Sequence, residues 1–311
     1  MRHRPGPHGE ARRFARVASL TIAICAMPAS ANGQSDPSQP PDTTGRQIAL
    51  VTGSTDGLGR EVAYRLAASG AHVIIHGRNR ERGAEVVARI EADGKGSARF
   101  YPADFASLDE VRRLGETLLR DYGRLDLLIN NAGISLIGQR DRLLSADGQE
   151  LHFAVNYLAG YLLTRMLLPR LRSGAHARII NVSSRAQSPI AFDDITLDRR
   201  YSHRQAYGQS KLAQIMFAID LAQELEGTGV TAYSLHPAPA MNTSMIREAG
   251  VEPQSTVEEG TAVVMHVVTA DGFESGQFFF EMTPARANEQ AYDDSARARL
   301  RALSDRLTGR R

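Results

Sequence analysis

The chain has 311 residues, 42% of them hydrophobic, with 37 basic and 35 acidic side chains and a formal charge of +2. That balance fits a globular chain of one or two domains, excludes collagen-like or largely disordered architectures, and gives no general basis for binding nucleic acid. A single cysteine, Cys25, excludes an intrachain disulfide and a four-cysteine zinc site.

Residues 1–31 have the three-part layout of a secretory signal peptide: Arg2, Arg4, Arg12, Arg13 and Arg16, then the apolar run Val17 to Met27, then the small-residue stretch Ala29-Ser30-Ala31. The apolar run has 11 residues, too few to cross a bilayer, so no stable membrane span is expected. Arg12-Arg13 gives a loose match to twin-arginine export. The expected location is exported or periplasmic if this segment acts as a signal, and cytoplasmic if it is a plain extension or if the start lies at Met27. Its removal leaves 32 basic against 34 acidic residues, a net charge of −2. Residues 32–45 are rich in Pro, Ser and Asp and read as a disordered linker.

From Arg46 the pattern changes. Ile48–Val51, Ala71–Ile75, Leu125–Ile129, Ile179–Val182 and Val230–Leu235 are short β-branched-rich runs bounded by turn residues, as buried parallel strands should be. Arg60–Ser69, Arg80–Ala92, Leu108–Asp121, Gln149–Arg172 and Tyr207–Glu226 show helical spacing between them. The alternation predicts an α/β fold with a doubly wound parallel sheet, helices on both faces and one domain over residues 46–311.

The first strand runs into Thr52-Gly53-Ser54-Thr55-Asp56-Gly57-Leu58-Gly59 and then a helix, the arrangement in which backbone amides meet a dinucleotide pyrophosphate at a helix N-terminus. At the end of the second strand, His76-Gly77-Arg78 lacks the acid that accepts from an NAD ribose, while Arg78 can pair with a 2′-phosphate; NADP is favoured over NAD. Asp104 follows the third strand, where it can accept from an adenine amino group. Asn130-Asn131-Ala132-Gly133 follows Leu125–Ile129, with small residues that let backbone approach a ribose.

The strongest constellation is Ser184, Tyr207 and Lys211. Tyr207 and Lys211 are four residues apart on a helical segment and share one face. An ammonium there favours the phenolate, which a tyrosine needs to exchange a proton near neutral pH. The chain has 35 arginines and only two lysines, Lys95 and Lys211, so a merely solvated position would more naturally be arginine. Ser184, just past the strand ending at Val182, can bond the same substrate oxygen. His72 and His76 are too far apart along a strand to share a metal, about 13 Å, and no metal is predicted.

Together, TGSTDGLG at 52–59, NNAG at 130–133, Asn156, Ser184 and YGQSK at 207–211 resemble the motifs of the short-chain dehydrogenase/reductase family, in that family's order. The resemblance spans residues 46–309 and is nearest the retinol-dehydrogenase-like branch, on SADGQELHFAVNYLAGYLLT, SKLAQIMFAIDLAQEL, SGQFFF and ARLRALSDRLTG. It implies a Rossmann-type fold and NAD(P)-dependent hydride transfer between a nicotinamide and a carbonyl or alcohol. Carried over, Tyr207 is the general acid/base, Ser184 orients the substrate oxygen, Lys211 binds the nicotinamide ribose, and Asn156 holds a water linking Lys211 to solvent. Gly53, Ser54, Thr55, Gly57, Leu58 and Gly59 fall in the phosphate loop. Asp104 contacts adenine, and Asn131, Ala132 and Gly133 lie at the ribose.

One stretch departs from the family. Its His-Pro-Gly, three residues and Thr becomes His236-Pro237-Ala238-Pro239-Ala240-Met241-Asn242-Thr243, without the glycine and one residue longer. Pro237 and Thr243 are still assigned to the cofactor, and the rigid Pro-Ala-Pro is expected to shift the nicotinamide or the flap Met241–Val251. Phe192, Met245 and Ile246 are expected to line an apolar pocket for a lipophilic small molecule; a homodimer is left open. Two other function classes remain: an NADP-binding sensor without turnover, and an epimerase or dehydratase using the same Tyr-Lys pair.

Overall fold

The computed structural model describes residues 41–310. The signal-like segment and residues 32–40 of the linker lie outside them. At the start of the described part, Arg46 fastens the chain to the domain, its guanidinium donating to the carbonyls of Gly70 (3.0 Å) and Lys95 (2.9 Å).

Eight strands form one sheet in the order β3-β2-β1-β4-β5-β6-β7-β8. They are β1 Ile48–Val51, β2 His72–Gly77, β3 Ser97–Pro102, β4 Leu127–Asn130, β5 Arg178–Val182, β6 Thr231–His236, β7 Phe278–Phe280 and β8 Thr283–Ala285. All neighbours pair in parallel except β8, which returns antiparallel on β7. The helices are α1 Gly57–Ala68, α2 Arg80–Asp93, α3 Leu108–Asp121, α4 Ala159–Leu171, α5 His203–Glu224, α6 Ser244–Glu248, α7 Val257–Thr269 and α8 Asp294–Leu307.

Period-two alternation in β1 explains the three layers. Ile48 and Leu50 join an apolar cluster with α3, α4 and α5 on one face, while Ala49 and Val51 join another with α1 and α7 on the opposite face. The expected Rossmann-type fold is the observed one. Helix α8 closes the first face: Tyr157 meets the Ser304 hydroxyl at 2.7 Å and Tyr161 donates to Asp305 at 2.8 Å.

The segment expected as one helix over 149–172 contains a π-helical turn, Phe153–Leu158, before α4. Its apolar periodicity is continuous, so nothing in the pattern marks the register change. Strand order reverses between β1 and β4. Ligands of open α/β sheets bind in the crevice outside the C-terminal strand ends at such a point. Both the glycine loop after β1 and the Asn-Asn-Ala-Gly turn after β4 lie there.

Candidate functional site

A cleft of about 830 Å³ opens at the C-terminal ends of the strands. Thr55, Gly57, Leu58 and Gly59 line it on one side, and Ser184, Tyr207 and Lys211 lie on its opposite wall. The glycine loop is held by sheet and side chains before any ligand is considered. Gly53 has φ +65°, and a Cβ on it would come within 2.8 Å of the Ala132 Cα; a Cβ on Gly59 would sit 2.4 Å from Asn131 and from the Gly53 carbonyl. Both positions therefore require glycine. Asn131 ties the two loops, its amide donating to the carbonyls of Thr52 (2.8 Å) and Gly53 (3.1 Å). The Thr52 hydroxyl accepts from the amides of Asn131 and Ala132, each at 3.0 Å.

Ser54, placed in the loop by sequence, turns inward: its hydroxyl donates to the Val51 carbonyl at 2.7 Å and accepts from the His76 amide at 3.0 Å. Its side chain braces the loop from behind. His76, which sequence considered only as a metal ligand, carries part of the same scaffold. Gly53 donates to its Nδ1 at 3.1 Å, so the proton sits on Nε2, which faces the Ala103 carbonyl at 3.2 Å. Its ring stacks on Phe105 with centroids 4.2 Å apart. Burial drives its pKa down to about 4, keeping this imidazole neutral.

Beyond β2, Arg78 lines the cleft with its guanidinium 3.8 Å from Asp104. Asp104 forms a local turn, accepting from the Ala106 amide at 2.9 Å. Sequence reasoning missed Arg82, one turn into α2, which lines the same cleft and lies 3.5 Å from Asp56. Its signal was available in Arg78-Asn79-Arg80-Glu81-Arg82, three arginines at alternate positions.

On the opposite wall, Lys211 is buried and donates to the Val182 carbonyl and to Gln214 Oε1, both at 3.0 Å. Burial lowers its pKa from 10.5 to about 7. Its Nζ lies 5.7 Å from the centroid of the Tyr207 ring. Burial raises the Tyr207 phenol above its ordinary value, and a hydrogen bond with Ser184 opposes that rise. The ammonium effect expected from sequence is not among the causes acting on the phenol, and desolvation works against the charged form of both partners. Two imidazoles also border the phenol ring: His203 lies parallel at 6.1 Å and His152 edge-on at 6.2 Å. His152 is fixed by Glu150, to which its Nδ1 donates at 2.8 Å, and by the Leu136 amide, which donates to its Nε2 at 3.2 Å.

Asn156 sits in the π-helical turn, where irregular helix often marks a functional position. Its Oδ1 accepts from the Ile134 amide at 2.7 Å, and its Nδ2 donates to the Ile134 carbonyl at 3.1 Å and to Ser210 Oγ at 3.0 Å. Both N–H groups are occupied, leaving an Oδ1 lone pair as the side chain's remaining acceptor. Gly133 lies between Asn156 and Lys211: a Cβ there would be 3.2 Å from the first and 3.5 Å from the second.

Pro237 and Thr243 line the cleft, as do Met245 and Ile246. The departure at Pro-Ala-Pro is absorbed by backbone, with Ala240 at φ +33° and Ser255 Oγ donating to the Pro239 carbonyl at 2.5 Å. Phe192 does not join this lining. It packs against the core under the Arg299 guanidinium, 4.6 Å from the ring centroid, because the segment after Ile190 is tied to α8, where Arg299 also donates to Asp193. The apolar wall comes instead from Ile134, Leu136, Ile137, Leu151 and Val155.

Comparison with known proteins agrees with this architecture. Residues 47–253 match the profile of the short chain dehydrogenase family. Human retinol dehydrogenase 12 is 34% identical over 277 residues, covering 85% of this chain and 86% of its own. Bovine dehydrogenase/reductase SDR family member 13 is 34% identical over 281 residues, covering 85% and 73%. Among solved structures, the Pseudomonas aeruginosa RhlG/NADP active-site complex superposes with a TM-score of 0.62 at 29% identity, over 75% of this chain and 94% of that one. A Burkholderia cenocepacia short chain dehydrogenase in complex with NADP gives 0.62 at 29%, over 76% and 96%. The chain belongs to the short-chain dehydrogenase family, in its retinol-dehydrogenase-like part, and is an NAD(P)-dependent oxidoreductase acting on CH–OH groups.

Proposed function

We propose that the protein is an NADP-dependent oxidoreductase of lipophilic carbonyls and alcohols, working through Tyr207, Ser184 and Lys211. The observation that carries this reading is their convergence on the cleft that the glycine loop also lines. In carbonyl reduction the Tyr207 phenol gives its proton to the substrate oxygen; in alcohol oxidation the phenolate takes it. Ser184, which lines the cleft with Tyr207, orients that same oxygen. Two of the three Lys211 N–H donors are held by Val182 and Gln214, leaving the third for a ribose hydroxyl. The open acceptor of Asn156 suits a water on the path from Lys211 to solvent.

The cradle fits a dinucleotide. Gly53, Thr55, Gly57, Leu58 and Gly59 would hold the pyrophosphate, with Ser54 bracing them; Asp104 the adenine; Asn131, Ala132 and Gly133 the nicotinamide-side ribose; Pro237 and Thr243 the carboxamide. When bound, the dinucleotide supplies or accepts the hydride. Arg78, with Arg82 lining the same cleft, supports NADP, since two guanidiniums and no acid at the end of β2 suit a 2′-phosphate. The apolar wall of Leu136, Ile137, Leu151, Val155, Met245 and Ile246 supports a lipophilic substrate, as do the retinol dehydrogenases among the relatives. We assign all of this chemistry to residues 46–311 and read residues 1–31 as a targeting segment. A panel of aldehydes and ketones with NADPH and NADH, read by loss of reduced-nicotinamide absorbance, tests the reading. Lipophilic carbonyls with NADPH should turn over fastest; no oxidation of either cofactor by any carbonyl would overturn it.

A further inference from the structure

Helix α5 presents a polar residue to the interior one turn beyond Lys211. Gln214 is buried, and a polar side chain in that position is costly unless bonded. Its Oε1 accepts from the Lys211 ammonium at 3.0 Å. Only the carbonyl end of the amide can face an ammonium, which has donors and no acceptor.

The turn that carries both residues is fixed from β5 through its backbone. Ser183 Oγ donates to the Lys211 carbonyl at 2.7 Å, and Asn181 Nδ2 donates to the Gln214 carbonyl at 2.9 Å. Asn181 is held in turn by Asn130, whose Nδ2 donates to its Oδ1 at 2.9 Å and to Thr164 Oγ1 at 3.0 Å. The lysine and its acceptor are therefore aligned by four residues, Ser183 lining the cleft and Asn181, Asn130 and Thr164 buried. The other acceptor of Lys211, the Val182 carbonyl, is main chain. Among the described residues, Gln214 is thus the side chain that accepts a hydrogen bond from that ammonium.

We propose that Gln214 is a positioning residue of the site: its side-chain carbonyl fixes the Lys211 ammonium beside Tyr207 and favours its charged form. The inference rests on the Tyr207–Lys211 reading of the catalytic pair for its functional meaning, while the contact itself is independent of it. The titratable groups that face Lys211 are Tyr207 on its own helix and His236 at the end of β6, with Arg185 beyond His236. From the π-helical turn the facing group is the neutral Asn156 amide. Gln214 acts against burial in this setting, because a hydrogen bond to the charged form raises a lysine's proton affinity.

The test uses the two-lysine composition of the chain. In full-length protein labelled with ¹⁵Nζ-lysine, Lys211 and Lys95 give two resonances, and Lys211→Arg assigns them. Gln214→Leu should move the Lys211 titration midpoint down by about one pH unit, a tenfold loss of proton affinity. Gln214→Glu keeps length and shape and places a carboxylate on the ammonium, so its midpoint should rise by at least about one pH unit. The second variant serves even if the first folds poorly. A lysine midpoint unmoved in Gln214→Glu would overturn the proposal. Tyr207→Phe is run beside them. If it keeps wild-type turnover while the midpoints move, the catalytic reading of the pair fails and the Gln214 contact stands; if it loses turnover while they stay fixed, Gln214 alone fails.

Discussion

At the N-terminal end of the parallel strands, His72 contacts Ser97 at 2.8 Å and Tyr122 at 2.9 Å, and Arg178 donates to the carbonyls of Val267, Val268 and Ala270 that end α7. At the C-terminal end the same kinds of side chain are less completely matched. The buried His236 Nε2 has no partner, Lys211 keeps a spare N–H, and Ala240 takes a left-handed backbone. Most buried polar groups that serve the fold are satisfied by the fold, although single atoms such as Arg165 Nε and Gln277 Oε1 are not. His236 and Lys211 both line the one cleft, which puts these open groups at the end of the sheet that meets a ligand.

The comparison breaks most directly at Tyr207. Tyr207→Phe keeps the ring but removes the proposed proton donor, so turnover should fall by about 10²–10⁴-fold with dinucleotide affinity nearly unchanged. Steady-state rates beside fluorescence titration of NADPH check both halves, and unchanged turnover would remove Tyr207 from the chemistry.

Acid should affect both ends. Burial holds His72, His76 and His236 down at about 4 against an ordinary value of 6.5. Between those values the unfolded chain binds more protons, so the stability from keeping each imidazole neutral is present above pH 6.5 and is lost as pH falls towards 4. Each contributes on the order of 3 kcal/mol. Thermal unfolding across that range should show the loss. His72→Phe and His76→Phe should each flatten it, but only His76→Phe should also weaken NADPH, because it removes the acceptor that positions Gly53. Equal effects of the two on cofactor binding would erase the distinction between the ends.

Arg178→Met probes the far end alone. It leaves the α7 C-terminus without its donor to three carbonyls, and stability should fall by about 2 kcal/mol while turnover at permissive temperature is unchanged. A matching loss of turnover would show that the ends are not separable.

The central sheet and the triad were legible because buried parallel strands and a four-residue helical spacing leave direct marks in a sequence. β3, with Arg99 and Tyr101 in Ser97–Pro102, does not look like a buried strand because it is the sheet's edge. β7 and β8 are three residues each, too short for a pattern. Helix α7 went unread although Thr256 and Glu259 form a capping box. Phe192 was misplaced because apolar character does not say which surface a residue covers. Gln214 and Arg82 carry chemistry only through what the fold brings to them.

Cofactor choice gives a smaller effect. Arg78→Ala should weaken NADPH by about 10- to 100-fold and NADH little, the worth of one charge-assisted phosphate contact. It is a cleaner test than adding an acid at Gly77, where a Cβ would come within 2.7 Å of the Thr55 side chain and disturb the loop itself. Equal weakening of both cofactors would make Arg78 a solvated arginine.

The smallest effect concerns how the cleft closes. Ser244, at the start of α6 in the flap, donates to Asp56 at 2.5 Å, and Asp56 also accepts from the Gly57 amide at 2.8 Å. Beside this bond, the Thr243 methyl would lie 3.2 Å from a Cβ on Gly57, so the flap rests on the phosphate loop at two adjoining points. Asp56 also has Arg82 at 3.5 Å and Arg60 at 3.9 Å, and it would stay partnered if the serine hydroxyl were lost. Ser244→Ala therefore removes one hydrogen bond to a partly exposed carboxylate, about 1 kcal/mol, without leaving a buried charge alone. A flap held by that bond should open more often without it, and dinucleotide dissociation should quicken about fivefold while the hydride-transfer step keeps its rate. Stopped-flow displacement of NADPH measures the first and single-turnover kinetics the second. An unchanged dissociation rate would mean that the flap is held by Ser255 and the Pro239 carbonyl, on the side of the segment away from the loop.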